Sequence, residues 1–370
     1  MHRRTSKPRL ILRPFVVTLC ISWSLAGCDD FKHSLRSADQ GLQAFFGTEA
    51  PAEPEPAPPA TQTALLIPPE PAEEPAPEPD IAVEPEAPGT AAYRDGLAAR
   101  SAGDDTAAAA FFESAAEAGH AAAAYELGLA YQNGKGRPIN HDEANKWVGI
   151  AADRGEPRAL YLIGVTYALG EGVEQNDEVA SAYFSEAANR GHSYAQYLLA
   201  EAYANGRGVP KDPEWAMVWY GKAARQGHRE AQFAYGALLG TGTGLPKDEA
   251  KAYGWFILAE RAGHPQAPQL RAALAQRLNP EDKQRGEDLA DRFQSRKSSR
   301  FADAPTVMYV QYRLNDMGYD AGPVDGLFGP KSRAALAAFE SDQGLVPAGD
   351  LTPASLGRLV EESRAGSRPT

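Results

Sequence analysis

The sequence predicts an all-α protein: an α-solenoid of helix–turn–helix repeats followed by a small three-helix domain. The first observation is a Gly-His or Gly-Glu pair that recurs every 36 residues, beginning at Gly119, Gly155, Gly191, Gly227 and Gly263. The second is the helical spacing of apolar residues inside each unit. The third is a new periodicity beyond residue 303, where three further helical patterns follow. A fixed period of this length indicates stacked units that bury their apolar faces against each other.

Residues 1–28 have the pattern of an export signal. Five Lys or Arg lie in residues 1–14, and a short apolar stretch follows at 15–26. That stretch is about half of the roughly 20 apolar residues that a spanning helix needs. It ends in Leu-Ala-Gly-Cys at Cys28, which resembles the lipobox of a bacterial lipoprotein. The resemblance implies cleavage before Cys28 and lipid attachment to its thiol, with an ordinary cleaved signal or a signal anchor as the alternatives.

Cysteine usage fits the lipoprotein interpretation. Cys20 and Cys28 are the two cysteines of the chain, and Cys20 would leave with a cleaved signal. The mature protein would then have neither a free catalytic thiol nor a disulfide. In some bacterial lipoproteins an Asp at the position of Asp29 resembles a signal for retention in the inner membrane. We therefore expect a periplasmic protein that is lipid-anchored to a membrane, the inner one being favoured and the outer one being the alternative.

Residues 29–90 predict a disordered tether. Between positions 49 and 90 there are ten acidic side chains and no Lys or Arg, with Pro and Ala throughout. Proline favours polyproline II and like charges extend the chain, so about forty residues could reach on the order of 100 Å. A spacer is favoured over a proline-motif docking site. The rest of the chain has no basic stripe that would suit a nucleic-acid backbone, which excludes nucleic acid as an expected partner.

Residues 91–293 form the predicted solenoid. In each unit a first helix leads into a Gly-x-Gly turn, whose paired glycines permit positive φ where the chain reverses. An Asn or Asp then stands at the expected N-cap of the second helix, at Asn140, Asn176, Asp212 and Asp248. Small side chains that allow close helix packing follow at Ala144, Ala180, Ala216 and Ala252.

These residues resemble the Sel-one-like repeat, a relative of the tetratricopeptide repeat with a longer turn between its helices. The clearest copies span 197–227 and 233–263. A shorter helix pair at 91–118 resembles a tetratricopeptide-type unit, and residues 269–293 are expected to close the far end. The resemblance implies an adaptor or scaffold that binds a protein partner on its concave face.

Histidines recur in the turn slot of the repeat, at His120, His192, His228 and His264. Packed helices lie about 8–10 Å apart and each unit contributes two, so equivalent histidines are too far apart to share one ion. We therefore interpret them as turn residues and predict no metal site.

Two aromatic residues depart from the repeat. Trp215 occupies a slot that holds Glu143, Val179 and Lys251 in the other units. Tyr194 occupies a slot that holds Ala122, Arg158 and Glu230. Since exposed aromatic residues are favoured interface anchors, Tyr194 and Trp215 are the candidate partner-binding residues, with local packing as the alternative for each.

A polar linker at 294–305 leads to a third region at 306–362. One helical pattern precedes the Gly-rich segment 318–330, a second holds Phe339, and a third opens with Thr352-Pro353, a cap followed by proline. The region is similar to the three-helix peptidoglycan-binding domain of cell-wall hydrolases. It departs from that pattern at Ser332, at Glu340 and at Ala348.

The resemblance implies that peptidoglycan is a ligand of the C-terminal domain. Candidate contact residues are those of the Gly-rich segment, namely Tyr319, Asp325, Gly326, Phe328 and Gly329. Structural roles are the alternative, since glycines shape loops and Asp325 would bond neighbouring backbone amides. Glu340 and Ala348 place the strength of ligand binding in question more than the fold.

No group of residues in the sequence forms a catalytic constellation. There is no Gly-rich phosphate loop after a strand and no metal-ligand cluster, so we predict no catalytic residue and no cofactor. We expect a membrane-anchored periplasmic scaffold that acts in cell-envelope organisation and is not an enzyme. An accessory or regulator of cell-wall hydrolysis, or a wall-active enzyme in its own right, is the alternative.

Overall fold

The computed structural model describes residues 87–293 and 303–366, and every regular element within these ranges is a helix. The predicted all-α class is therefore confirmed. The predicted signal with Cys28 and Asp29, the tether as far as residue 86, and residues 294–302 lie outside the described residues. Among the helices described, none combines the length and the apolar composition that a bilayer crossing requires.

Ten helices form five consecutive antiparallel pairs, which are called units 1 to 5. These are α1 (Thr90–Ser101), α2 (Asp105–Glu117), α3 (Ala121–Asn133), α4 (His141–Asp153), α5 (Pro157–Leu169), α6 (Asp177–Asn189), α7 (Ser193–Asn205), α8 (Pro213–Arg225), α9 (Arg229–Thr241) and α10 (Glu249–Arg261). Two further helices, α11 (Ala267–Arg277) and α12 (Pro280–Asp291), pack against α10. The C-terminal domain consists of α13 (Ala304–Asp316), α14 (Pro330–Asp342) and α15 (Pro353–Gly366).

The predicted caps start the second helix of units 2 to 5. In units 4 and 5, Asp212 accepts a hydrogen bond from the backbone N–H of Trp215, and Asp248 accepts one from that of Lys251, each at 2.9 Å. Asn140 and Asn176 cap α4 and α6 in the same way. These bonds satisfy amides that the first helical turn leaves without partners, so each second helix begins at a position that the sequence specifies.

The two glycines of each turn serve different purposes. The first one ends the first helix in the left-handed region, as Gly206 does with φ 74°. The second lets neighbouring units touch, because a Cβ on Gly208 would lie 1.9 Å from the carbonyl oxygen of Asp177 in the preceding unit. The Gly-x-Gly turn therefore both reverses the chain and sets the distance between units.

Alanine fills the interior where helices cross. One slot of the repeat is completely buried in all five units, at Ala115, Ala151, Ala187, Ala223 and Ala259. A methyl group lets the backbones approach closely, and a larger side chain there would overpack the interior. Trp219 and Trp255, which share another slot of the repeat, are each 5% exposed and belong to the same interior.

The far end of the solenoid is closed by α11 and α12. The crossing of α10 and α12 depends on two glycines, since a Cβ on Gly254 would lie 2.6 Å from the carbonyl oxygen of Gly286. Phe293 covers Trp255 edge-on, with the ring centroids 5.6 Å apart. The C-terminal domain has its own core of fully buried side chains, comprising Tyr309, Val310, Leu314, Leu336, Phe339 and Leu359.

Candidate binding surfaces

The turn histidines cap helices in the structure. In His120, His192 and His228 the imidazole Nδ1 accepts the backbone N–H of the residue three positions later, at 3.2–3.3 Å. Each ring also stacks on an aromatic ring of the preceding first helix, as His192 does on Tyr161 with centroids 4.7 Å apart. Burial lowers the pKa of His192 to about 4, so the ring stays neutral and keeps the acceptor that the cap needs.

No group of three or more His, Cys, Asp or Glu within residues 87–293 and 303–366 is placed to hold a metal ion. The histidine positions instead explain the repeat signature. Unit 2 ends in Glu156 where the other units have histidine, and the Glu156 carboxylate caps the next helix by accepting the backbone N–H of Arg158, two positions later, at 3.4 Å. The slot thus requires a hydrogen-bond acceptor, which imidazole and carboxylate both provide.

A chain of ion pairs follows the first helices of units 1 to 3. Glu126, only 6% exposed, accepts hydrogen bonds from Arg100 and Arg158, each at 2.6 Å. Arg158 also pairs with Glu156 and lies 4.4 Å from the ring centroid of Tyr125. Burial opposes the charge of Arg158, but its two carboxylate partners raise its pKa above the ordinary value. The charged side chains of this group are therefore paired with one another.

Tyr194 lies next to this network and is exposed, as the sequence predicted. Its side chain is 57% exposed, which is unusual for a large aromatic residue in a packed repeat. Its ring meets His228 edge-on, with centroids 4.6 Å apart, and lies 6.2 Å from that of Tyr161. The ring is thus held on one side and open on the other, which suits an interface anchor. Its role in partner binding stays a prediction.

Trp215 packs inside the chain, which is the alternative that the sequence left open for it, and it does not lie on a free surface. It is half-buried, and its ring centroid lies 5.0 Å from that of Tyr309 in the C-terminal domain. It also meets Trp219 edge-on. The physical reason is that the C-terminal domain covers this face of unit 4, so that Trp215 packs against an apolar side chain of that domain. The sequence does not reveal contacts between distant segments, so the comparison of units identified the unusual residue but misplaced its partner.

The Gly-rich segment of the C-terminal domain is organised around Gln311, which is 1% exposed. The Gln311 amide nitrogen donates to the Asp325 carboxylate at 3.0 Å and to the Leu327 carbonyl oxygen at 3.0 Å. The Gln311 amide oxygen accepts the backbone N–H groups of Asp325 and Gly326. Asp325 also accepts the backbone N–H of Leu327. Asp325 therefore shapes the loop, which is the structural role weighed in the sequence.

Gly326 and Gly329 hold the loop in place. Gly326 has φ 83°, and a Cβ there would lie 3.0 Å from Cβ of Ala304, so it faces the start of α13. Gly329 stands at the N-terminus of α14, directly before Pro330. Both glycines act through the backbone, and their role is to shape the loop.

The exposed side of the loop is formed by other residues. Leu327 is 72% exposed, and Phe328 lies beneath the Arg333 guanidinium, which is 5.2 Å from its ring centroid. Arg333 pairs in turn with Asp350. Sequence reasoning included Phe328 but missed Leu327 and Arg333. An apolar residue between Gly326 and Gly329 in a polar loop was the available signal for Leu327.

Tyr319 lies on the same domain, where its hydroxyl donates to the Asp342 carboxylate at 2.8 Å. That hydrogen bond raises the pKa of the Tyr319 hydroxyl. Its ring meets the core residue Phe339 edge-on, with centroids 5.9 Å apart. Tyr319 thus has an anchored ring and a polar edge in water, which is compatible with both the structural and the ligand-binding interpretation.

The two departures at Glu340 and Ala348 form one internal contact. Glu340 is 2% exposed, and its carboxylate accepts the backbone N–H groups of Ala348 and Gly349 at 2.8 and 3.1 Å. The carboxylate therefore fixes the turn before α15. Because both residues face this turn, their effect is on local structure rather than on the exposed loop.

Comparison with known families assigns the solenoid and the C-terminal domain to one family each. The Sel1 repeat model matches residues 89–120, 121–156, 157–192, 193–228 and 229–264, which are units 1 to 5. A model described as "Putative peptidoglycan binding domain" matches residues 303–359. The chain carries five Sel1 repeats and a C-terminal peptidoglycan-binding domain. The helix pair at 91–118, which resembled a tetratricopeptide-type unit, is matched as the first Sel1 repeat.

Individual relatives resemble parts of the chain. The Localization factor PodJL of Caulobacter vibrioides is 42% identical over 55 residues, which are 15% of this chain and 6% of that protein. A Sel1 repeat protein from Oxalobacter formigenes has 27% identity and a TM-score of 0.46, with 57% of this chain and 91% of that chain covered. A protective antigen of uropathogenic Escherichia coli with an SLR fold has 22% identity and a TM-score of 0.43, with 76% and 62% covered.

Proposed function

We propose that this protein is a membrane-anchored periplasmic scaffold that binds peptidoglycan through its C-terminal domain and a protein partner through its Sel1 repeats. The observation that carries the proposal is the presence of both binding modules on one chain. Sel1 repeats are suited to protein interaction, because stacked units create an extended surface without an enclosed pocket for chemistry. The chain therefore joins a protein to the cell wall and is not itself an enzyme.

The exposed loop supports the wall-binding half of the proposal. Leu327 offers an apolar side chain to solvent, and Arg333 offers a half-exposed guanidinium that lies over the Phe328 ring and pairs with Asp350. Peptidoglycan presents acetylated sugars and stem-peptide carboxylates, which these two kinds of side chain complement. Of the residues first predicted to contact the ligand, Phe328 and Tyr319 remain candidates, whereas Asp325, Gly326 and Gly329 shape the loop.

The row of first helices supports the protein-binding half. Tyr194 is exposed there and meets His228 edge-on, and Glu230 next to that histidine already pairs with Arg229. A partner could therefore bury the ring without leaving a new charge unpaired. The name of the Caulobacter vibrioides relative, a localization factor, is compatible with a chain that positions another protein in the cell envelope.

Sedimentation with purified sacculi tests the wall-binding activity. The full chain is expected to sediment with sacculi and to release no soluble fragments. Leu327→Ser is expected to weaken binding about tenfold or more, since burial of a leucine contributes about 1.5–3 kcal/mol. Val346→Ser is the matched control, because Val346 is also exposed on this domain, at 86%. Release of soluble fragments would favour the alternative of a wall-active enzyme, and a chain that stays in the supernatant would refute wall binding.

Fatty-acid labelling in cells tests the anchor. The full chain is expected to incorporate label, and Cys28→Ser is expected to abolish it and to release the protein from the membrane fraction. Cys20→Ser is the matched control, because a cysteine inside a cleaved signal would not carry the lipid. Equal labelling of the wild type and Cys28→Ser would exclude attachment at Cys28.

A further inference from the structure

The second helix of unit 4, α8, differs from its counterparts on one face. Val218 replaces Lys146 and Ala182, and Lys222 replaces Ile150 and Glu186. Trp215 belongs to the same face because the three positions are separated by three and four residues. In unit 5 the counterparts are Gly254 and Leu258, and Gly254 packs against α12. This face of α8 therefore carries side chains that units 2, 3 and 5 do not share.

That contact is the chain's own C-terminal domain. Val218 is 1% exposed and belongs to the apolar core of that domain rather than to the solenoid core. Trp215 covers Tyr309, whose ring is completely buried. From the other side, Met308 inserts its sulfur 3.7 Å from the Tyr235 hydroxyl of the solenoid. The apolar side chains of the two domains are therefore interleaved, as in a packed interior.

Two ion pairs set the orientation across this contact. Lys222 Nζ lies 2.7 Å from Asp303 Oδ2, with the two side chains 11% and 13% exposed. Arg313 Nη1 lies 3.2 Å from Glu214 Oε2, and the Arg313 side chain is 9% exposed. Buried ion pairs add little net stability, but removal of one partner is costly, so they disfavour any other arrangement.

We propose that the face of α8 with Trp215, Val218 and Lys222, called the seat, is specialised to bind the C-terminal domain. The solenoid and the wall-binding domain then form one rigid body in solution. This inference goes beyond the proposed function, since it concerns the geometry of the chain with or without ligand. Its consequence is that the loop around Leu327 and the surface around Tyr194 have a fixed separation and direction. A partner on the solenoid would then be presented to the wall in one orientation.

Gly221 offers a way to separate the domains. A Cβ there would lie 2.8 Å from Cβ and Cγ of Pro305, so a longer side chain would act as a wedge. Ser185 occupies the same slot in unit 3, which has no domain seated on it. Gly221→Gln therefore attacks the contact, and Ser185→Gln is the matched control for a glutamine in that slot.

Hydrogen exchange of the purified full chain measures the outcome. Gly221→Gln is expected to increase exchange roughly tenfold in segments 213–225 and 304–316, because overpacking destabilises the contact between them. Segment 177–189 should be unchanged, and Ser185→Gln should resemble the wild type. Wild-type exchange in 304–316 of Gly221→Gln would overturn the proposal.

A second variant distinguishes loss of this contact from general unfolding caused by Gly221→Gln. Trp215→Ala removes a ring from the contact without adding volume, and Val179→Ala is its control in unit 3. Faster exchange in 304–316 for Trp215→Ala alone supports the seat, and equal exchange for the two variants overturns it. Sacculus binding is measured separately: retained sedimentation of Gly221→Gln together with faster exchange shows that wall binding survives when the rigid body is lost.

Discussion

The solenoid and the C-terminal domain maintain their surfaces by opposite means. In the solenoid the same small contacts recur, such as a capped second helix and a buried alanine in every unit, and a glycine against the neighbouring backbone in units 2, 4 and 5. In the C-terminal domain one buried side chain, Gln311, holds the Gly-rich loop through four hydrogen bonds to Asp325, Gly326 and Leu327. Repetition distributes stability over many residues, whereas the loop depends on one.

Substitution of Gln311 tests this difference with the largest expected effect. Gln311→Ala would leave the backbone amides of Asp325 and Gly326 without their acceptor, and we expect a loss of about 2–4 kcal/mol. Urea unfolding of the full chain should show the loss in the C-terminal domain, together with weaker sacculus sedimentation. Gln343→Ala is the control, since Gln343 lies at the end of α14 outside this network. Equal stability of the two variants would contradict the central role of Gln311.

A substitution in the repeat interior should have a smaller, local effect. Ala187→Leu overpacks one fully buried site and is expected to cost about 1–3 kcal/mol. Ala182→Leu lies on the same helix at an exposed position and should be nearly neutral. Hydrogen exchange should place the change in units 3 and 4. Destabilisation spread evenly over all five units would show that stability in the solenoid is not local.

The turn histidines predict how the solenoid responds to acid. Burial lowers the pKa of His192 and of His264 to about 4, below the unfolded value near 6.5. Their stabilisation is therefore fully present above about pH 6.5 and is lost as the pH falls toward 4. His192→Asn retains a cap acceptor but does not titrate, so its unfolding free energy should fall less steeply between pH 6.5 and 4. Parallel wild-type and variant slopes would show that His192 does not contribute.

The smallest effect on stability is expected at Tyr194. Tyr194→Ala removes a mostly exposed ring and should change the unfolding free energy by about 0.5 kcal/mol or less. If the ring anchors a partner, crosslinked capture from cells should nevertheless fall well below that of the wild type. Exposed Leu169→Ala provides the control. Unchanged capture would remove Tyr194 from the interface.

Much of the fold could be predicted because its causes are periodic. Asp212 and Asp248 are caps, and Ala187 and Ala223 are core, since the same residue types recur every 36 positions. The three helices of the C-terminal domain were likewise predictable from a spaced motif. Contacts that occur once were not predictable from one sequence, because no pattern reports them.

Trp215 and Gln311 illustrate the limit. The register showed that Trp215 was unusual, but its neighbour Tyr309 lies 94 positions away in the chain. Gln311 lies in the region that resembles the peptidoglycan-binding domain, yet only the structure shows that it holds Asp325 and leaves Leu327 and Arg333 exposed. The structure therefore moves the ligand-binding prediction from Asp325, Gly326 and Gly329, which shape the loop, to exposed side chains such as those of Leu327 and Arg333.

Hydrogen exchange of the full chain with and without soluble peptidoglycan fragments tests the central claim most directly. The account predicts slower exchange confined to the segment around Leu327 and Arg333, with units 1 to 5 unchanged. Unaltered exchange throughout the C-terminal domain, or slowing confined to the solenoid, would contradict it.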